Sequence, residues 1–169
     1  MSKRIEFFIK GRELLAEPYA YREIGLGNII LLNGVTTTQT PYGPMTHIEY
    51  IHGLHRAIGL AIAEKSEPMS GAEFRFLRKQ LGLTQAELAA RMHVTDQTIA
   101  NYEKGRTGLG PADPFMRALY LVHILPDRTR VEVLKPMVEG PAKRKSSKLP
   151  AVPRSQVGEG WQHGRNAAA

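Results

Sequence analysis

The spacing of apolar positions changes several times along this chain. Residues 1–16 mix apolar and charged side chains and hold one short strand, Ile5–Ile9. Ile29, Ile30, Leu31 and Leu32 form a continuous apolar run closed by Asn33 and Gly34, a pair that favours a turn. Pro41, Gly43 and Pro44 then punctuate a loop. Over 48–65 the period lengthens. Ile51, Leu54, Ile58 and Ile62 recur at three- and four-residue intervals, which predicts a helix with one apolar stripe. Residues 17–65 therefore read as a small α+β unit.

Over 70–125 the pattern becomes four short helices with very short connections. Ser70 with Glu73, and Thr84 with Glu87, are two capping boxes, opening helices that run to Leu81 and to about Met92. Gly82 stops the first. Thr95 is a good N-cap for a third helix, which ends near Lys104 and Gly105. Asp113 followed by Pro114 starts a fourth, and Pro126 stops it. A less regular fifth helix is expected from Asp127, with Val131, Leu134 and Val138 on one face and Pro136 inside it.

Two features of these helices call for cover. On the first, Phe74, Leu77 and Leu81 make the core stripe, while Phe76 lies about 200° away from Phe74. The N-terminal unit or a second subunit is the expected dock for that ring. The fourth helix carries Phe115, Leu119 and Val122 on one face and Met116, Tyr120 and His123 on another. One face is expected to be buried within the chain and the other to be open to a partner.

The segment 83–105 carries the chemistry. Two helices joined by a three- or four-residue turn touch only where a small residue sits at the crossing, and Ala89 supplies it. Leu88, Met92, Val94 and Ile99 form the apolar wedge, with Tyr102 at its edge; full burial is worth on the order of 1.5–3 kcal/mol for each such side chain. The third helix is left with a polar face bearing Thr95, Asp96, Gln97, Thr98 and Asn101. Gln and Asn offer adenine a paired donor and acceptor in the major groove, Thr meets a thymine methyl or donates, and Asp accepts from cytosine. Thr84 and Gln85 at the start of the second helix present free amides suited to a phosphate, and Lys104 and Arg106 close on the backbone from the other side. Double-stranded DNA is the partner these residues fit.

This segment resembles the Cro/repressor-type helix-turn-helix family, often called XRE, across roughly 70–125. The matching positions are Leu83, Thr84 and Gln85, then Glu87, Leu88 and Ala89, then Val94, Thr95, Thr98 and Ile99, and finally Glu103, Lys104 and Gly105. The resemblance implies a lambda-repressor-like bundle that reads an operator, usually as a homodimer. One position departs. His93 stands at the turn where the family usually has a left-handed glycine, so a stability cost is expected there. A looser resemblance, to MqsA-type antitoxin-like regulators, rests on YREIGLGN at 21–28, LNG at 32–34, GLHRAI at 53–58 and FRFLR at 74–78. It implies an alternative in which residues 1–65 bind a partner protein and the DNA-binding half regulates its own operon. The zinc-binding cysteine pair of those relatives has no counterpart here, so no metal is carried over.

Composition adjusts this picture in three places. The net charge is +7, and residues 141–169 hold six cations (Lys143, Arg144, Lys145, Lys148, Arg154, Arg165) against Glu159, leaving +2 on the rest. A basic tail on a near-neutral body fits a polyanion. Beyond Gly140 few apolar side chains remain to offset an ordering cost of about 1–2 kcal/mol per residue, so the tail is expected to be disordered. Cysteine is absent, which removes disulfides and thiolate metal sites and fits the cytoplasm. No apolar run reaches the roughly 18 residues of a membrane span, and the first ten residues make a poor signal peptide.

His47, His52, His55 and Glu49 are the only metal or catalytic candidates, and a polar face or local hydrogen bonding accounts for them better than zinc, which needs four fixed ligands. No cofactor and no enzymatic activity are expected. The sequence thus leads to a mainly α chain in four parts: a lead-in over 1–16, the α+β unit over 17–65, the helix-turn-helix domain with its C-terminal helices over 70–140, and the basic tail over 141–169.

Overall fold

A computed structural model describes residues 4–125 and 160–163. The elements run β1 (Ile5–Ile9), β2 (Tyr19–Ala20), β3 (Ile29–Leu31), β4 (Val35–Thr40), β5 (Gly43–Ile48), α1 (Ile51–Glu64), α2 (Gly71–Gln80), α3 (Gln85–Met92), α4 (Asp96–Glu103), α5 (Ala112–Ile124) and β6 (Trp161–His163). They fall into two compact units that divide between Ala57 and Ile58, with β6 in the first.

The first unit is built on a sheet of order β2-β3-β1-β6. β1 pairs in parallel with β3 (Phe7 opposite Leu31) and antiparallel with β6 (Ile9 opposite Trp161). Alternation along β1 and β3 sends Phe7, Ile9, Ile29 and Leu31 inward, each at most 7% exposed. Asn33 is buried at 1% because it finishes the edge: its Oδ1 accepts from the Ile9 N–H at 2.7 Å, and its amide donates to the Ile9 and Arg12 carbonyls. Gly34 follows with φ +69°, and a Cβ there would lie 2.7 Å from Ile9 Cδ1 and 3.0 Å from the Trp161 ring. Both torsion and space demand glycine.

Three sequence expectations are corrected here. Pro41, Gly43 and Pro44 do not mark an irregular loop; they make the tip of a β4–β5 hairpin in register from Val35–Ile48 to Thr40–Gly43. Pro44 faces Gln39, and Gly43 turns the chain with φ +112°. Both faces of the hairpin are polar and exposed, so no alternation announces it in the sequence. Within 141–169, whose other residues apart from Gly160 lie outside those described, Trp161–His163 form a strand that composition alone does not signal. With six short strands beside five helices among the described residues, the expectation of a mainly α chain is not borne out; the described residues combine α and β.

α1 spans Ile51–Glu64 rather than 48–65 because Tyr50, with φ +47°, sits in the left-handed region just before it. Leu54, Ile58 and Ile62 of the expected stripe are fully buried, while Ile51 remains 38% exposed. His55 is tied across the unit rather than locally, its Nε2 lying 2.8 Å from the hydroxyl of Tyr21, 34 residues earlier. Burial, and secondarily the charge of His52, lowers the His55 pKa, and burial pushes Tyr21 up to about 12.

The second unit collects the end of α1 with α2 to α5. Gly59 admits the Tyr120 ring of α5, where a Cβ would meet the hydroxyl at 2.1 Å. Arg117 of α5 donates to the carbonyls of Ile62, Ala63, Lys65 and Glu67, gathering the last carbonyls of α1 and the chain after it. Asp113 holds Arg117 and accepts from the Met69 N–H at 2.6 Å. Burial works to raise the Asp113 pKa, but these hydrogen bonds and the charges of Arg117 and Lys65 outweigh it and hold the carboxyl low.

α5 starts one residue earlier than Asp113, with Pro111 at its N-cap, and ends where Leu125, next to Pro126, turns extended. Its buried face is that of Met116 and Tyr120, whereas His123 and Phe115 are exposed. Phe76 needs no second subunit, being 3% exposed within the single chain. The fifth helix expected after Asp127 lies outside the described residues.

Candidate nucleic-acid interface

α2, α3 and α4 begin on side-chain caps. Ser70 and Thr84 each accept the N–H three residues on, and Glu73 and Glu87 answer by accepting the N-cap N–H at 2.7 Å. These hydrogen bonds from Thr84 pull the Glu87 pKa down. α4 starts at Thr95, whose Oγ1 accepts from the Thr98 N–H at 3.2 Å.

The turn from α3 to α4 takes three residues. His93 adopts φ +54°, ψ +40°, the left-handed conformation that the family resemblance implies for this turn. The Val94 N–H then reaches back to the Ala89 carbonyl at 3.0 Å, closing the end of α3. Leu88, Ala89 and Ile99 are buried in the wedge; Met92, Val94 and Tyr102 are half-buried at its rim.

Burying Ile99 turns the opposite side of α4 outward. Thr95, Asp96 and Gln97 are exposed, and Thr98 and Asn101 are half-buried beside them. The group is ordered from within. Thr95 and Thr98 share a hydroxyl hydrogen bond at 2.9 Å, the Gln97 N–H donates to Asp96 Oδ1, and Gln97 Nε2 donates to Asn101 Oδ1 at 3.2 Å. Lys104 and Arg106 are exposed just beyond the helix. Gly105, with φ +65°, makes the bend that lets the Arg106 N–H reach the Asn101 carbonyl.

The two residues expected to hold phosphate at the start of α3 are not equivalent. Thr84 spends its hydroxyl and its N–H on Glu87, which leaves the first-turn amides of Gln85 and Ala86 for an anion. Gln85 Nε2 donates to Glu103 Oε2 at 2.8 Å, which ties the start of α3 to the end of α4.

That tie belongs to a cluster sequence reasoning missed. Arg78 of α2 grips Glu103 through both Nε and Nη2, and its Nη1 donates to the Leu83 carbonyl at 2.6 Å. Both side chains are nearly buried, at 10% and 5% exposure. One guanidinium thus fixes α2, the entry to α3 and the exit of α4. Gly71 completes the seat, since a Cβ there would lie 2.3 Å from the Tyr102 carbonyl, and Phe74 meets Tyr102 edge-on. A signal was present: Arg78 falls four residues after Phe74, on the core stripe of α2, where a charge requires a partner.

Two helices locked across a tight turn, with the second presenting amides and hydroxyls outward, define a helix-turn-helix of the DNA-binding class. Residues 74–112 match the family profile described as Helix-turn-helix. A relative described as an uncharacterized HTH-type transcriptional regulator, from Methanothermobacter thermautotrophicus, is 55% identical over 49 residues, covering 28% of this chain and 71% of that protein. No solved structure shows a significant match. The chain belongs to the XRE-type helix-turn-helix family of DNA-binding transcriptional regulators. Among the described residues no helix is long and apolar enough to cross a membrane.

Proposed function

We propose that this regulator is a repressor that binds a short operator as a homodimer, with α4 in the major groove. Thr95, Asp96, Gln97, Thr98 and Asn101 read base edges; Gln85, Lys104 and Arg106 hold phosphates, and Thr84 shapes the helix start that meets them. The observation that carries the reading is the Gln97–Asn101 hydrogen bond on the exposed side of a helix whose other side is anchored by Ile99 and Glu103. Two amides held in one orientation lose less freedom on meeting a base than two that swing independently.

Selection of bound sites from a random duplex pool tests it. Enrichment of an inverted repeat with half-site centres about 34 Å apart is the expected result. A pool that stays random at physiological salt would refute base reading, and a single unpaired half-site would refute the dimer.

A further inference from the structure

The β4–β5 hairpin is the least committed part of the first unit. Residues 36–39 and 44–47 are exposed, and Tyr42 at the tip is completely so. An isolated two-stranded hairpin is marginal in water, and a further strand would stabilise one that stands exposed on both faces. Its two edges differ. The register and the Glu49 N–H bond to the Gly34 carbonyl at 2.9 Å fix which backbone groups point inward: those of Gly34, Thr36, Thr38 and Thr40. On β5 the outward set therefore includes Pro44, which has no N–H and blocks that edge to an added strand. On β4 the outward set is Val35, Thr37 and Gln39, every one with both donor and acceptor. Among the described residues no strand pairs with it.

Exposed edges are ordinarily guarded by charge, proline or a bulge. β4 has none of these, and residues 35–48 contain no Asp, Glu, Lys or Arg in a chain that is 23% charged. We propose that the outer edge of β4 is the interface between two copies of this chain, joined antiparallel about a two-fold axis at Thr37.

The sequence of β4, VTTTQT, is suited to itself in that register. Thr37 meets its own copy, Thr36 meets Thr38, and Val35 meets Gln39. The three central cross-strand pairs are then all Thr–Thr, a favourable pairing, and no charge confronts its twin. The outward groups of Val35, Thr37 and Gln39 pair with those of Gln39, Thr37 and Val35 on the other copy, leaving none of the three unmatched. An edge suited to a charged partner strand would carry the complementary charge; this one carries none. The inference rests on the dimeric reading above and names the surface that would make it.

Sedimentation of the full-length chain, wild type beside Thr37→Lys and Thr37→Pro, tests this. Neither substitution touches a β4–β5 hydrogen bond, because the backbone groups of Thr37 point away from β5. Both variants should weaken self-association by on the order of tenfold or more, through like charges at the axis or a lost donor. Emission of the buried Trp161 should stay as in wild type, which reports an intact first unit. Because the chain has no cysteine, Thr36→Cys combined with Thr38→Cys should also give a covalent dimer on mild oxidation, the paired Cα atoms lying about 4.5 Å apart. Dimers that survive both Thr37 variants, with no covalent dimer from the cysteine pair, would overturn the interface and leave the dimeric reading standing. A wild-type chain that stays monomeric while saturating its selected operator would overturn both.

Discussion

At the scale of single residues, His93 shows how much a local sequence can disclose. The resemblance to the helix-turn-helix family implies a left-handed backbone at this turn, and the structure puts it at φ +54°. A side chain in that region costs roughly 1–2 kcal/mol, partly offset by the extra unfolded-state freedom that glycine brings. His93→Gly should therefore raise the melting temperature by roughly 2–5 °C. An unchanged or lower midpoint contradicts the strain. Arg78 and Glu103 show the opposite case. Arg78 falls on the core stripe of α2 and so calls for a partner, but only the fold reveals that the partner is Glu103. Removing one partner of a buried pair strands the other, so Glu103→Ala should cost about 3–5 kcal/mol in denaturant unfolding. A loss below about 1 kcal/mol would make the pair ornamental. Burial of Tyr21 and His55 gives a third residue-scale expectation. Burial lowers the His55 pKa in the fold, so the unfolded chain takes up the proton more readily and stability falls as pH drops below 6.5. Tyr21, raised to about 12, holds its proton more tightly in the fold than in the unfolded chain, so stability also falls as pH climbs above 10. Trp161 lies in the same unit and is the only tryptophan, which makes its emission the natural probe of unfolding across pH. Tyr21→Phe should shrink the alkaline limb, leaving the part due to Tyr19, whose pKa its hydrogen bond to Glu23 also raises; a limb of undiminished size would assign it elsewhere.

At the scale of elements, legibility followed amphipathic pattern and capping chemistry. β1 was readable to the residue, and α2, α3 and α4 begin at the hydroxyls that the sequence offers as caps. The exposed, polar side of α4 followed from where Ile99 had to go. The hairpin was not legible, since VTTTQT and GPMTHI bury neither face and turn residues look alike in a loop and in a strand reversal. β6 was hidden for another reason. Its three residues are held by a partner strand more than 150 positions earlier and by a single ring, whose Nε1 donates to the Glu49 carbonyl at 2.9 Å. Such long-range pairing leaves no local period. Within the site, the face of α4 could be read, whereas the Gln85–Glu103–Arg78 tie that aims it could not.

At the scale of the whole molecule, the first unit's sheet, the hairpin and the helix-turn-helix come with a charge distribution weighted to one end. Lys143, Arg144, Lys145 and Lys148 lie outside the described residues, and if they meet phosphates they do so without sequence preference. Replacing these four with glutamine, rather than deleting 141–169, spares β6 and its Trp161 anchor. The slope of log K against log salt should then flatten by roughly 0.9 for every phosphate that is no longer neutralised, with the preferred site unaltered. An unchanged slope would make the cluster a bystander. The most direct trial of the central claim is a titration at physiological salt of wild type and Gln97→Ala against the selected operator and a scrambled duplex. Base reading by α4 requires a loss of about 1–3 kcal/mol on the operator alone, with the scrambled duplex bound as before. Equal losses on both would show that Gln97 touches only the backbone, and that α4 does not read sequence through it.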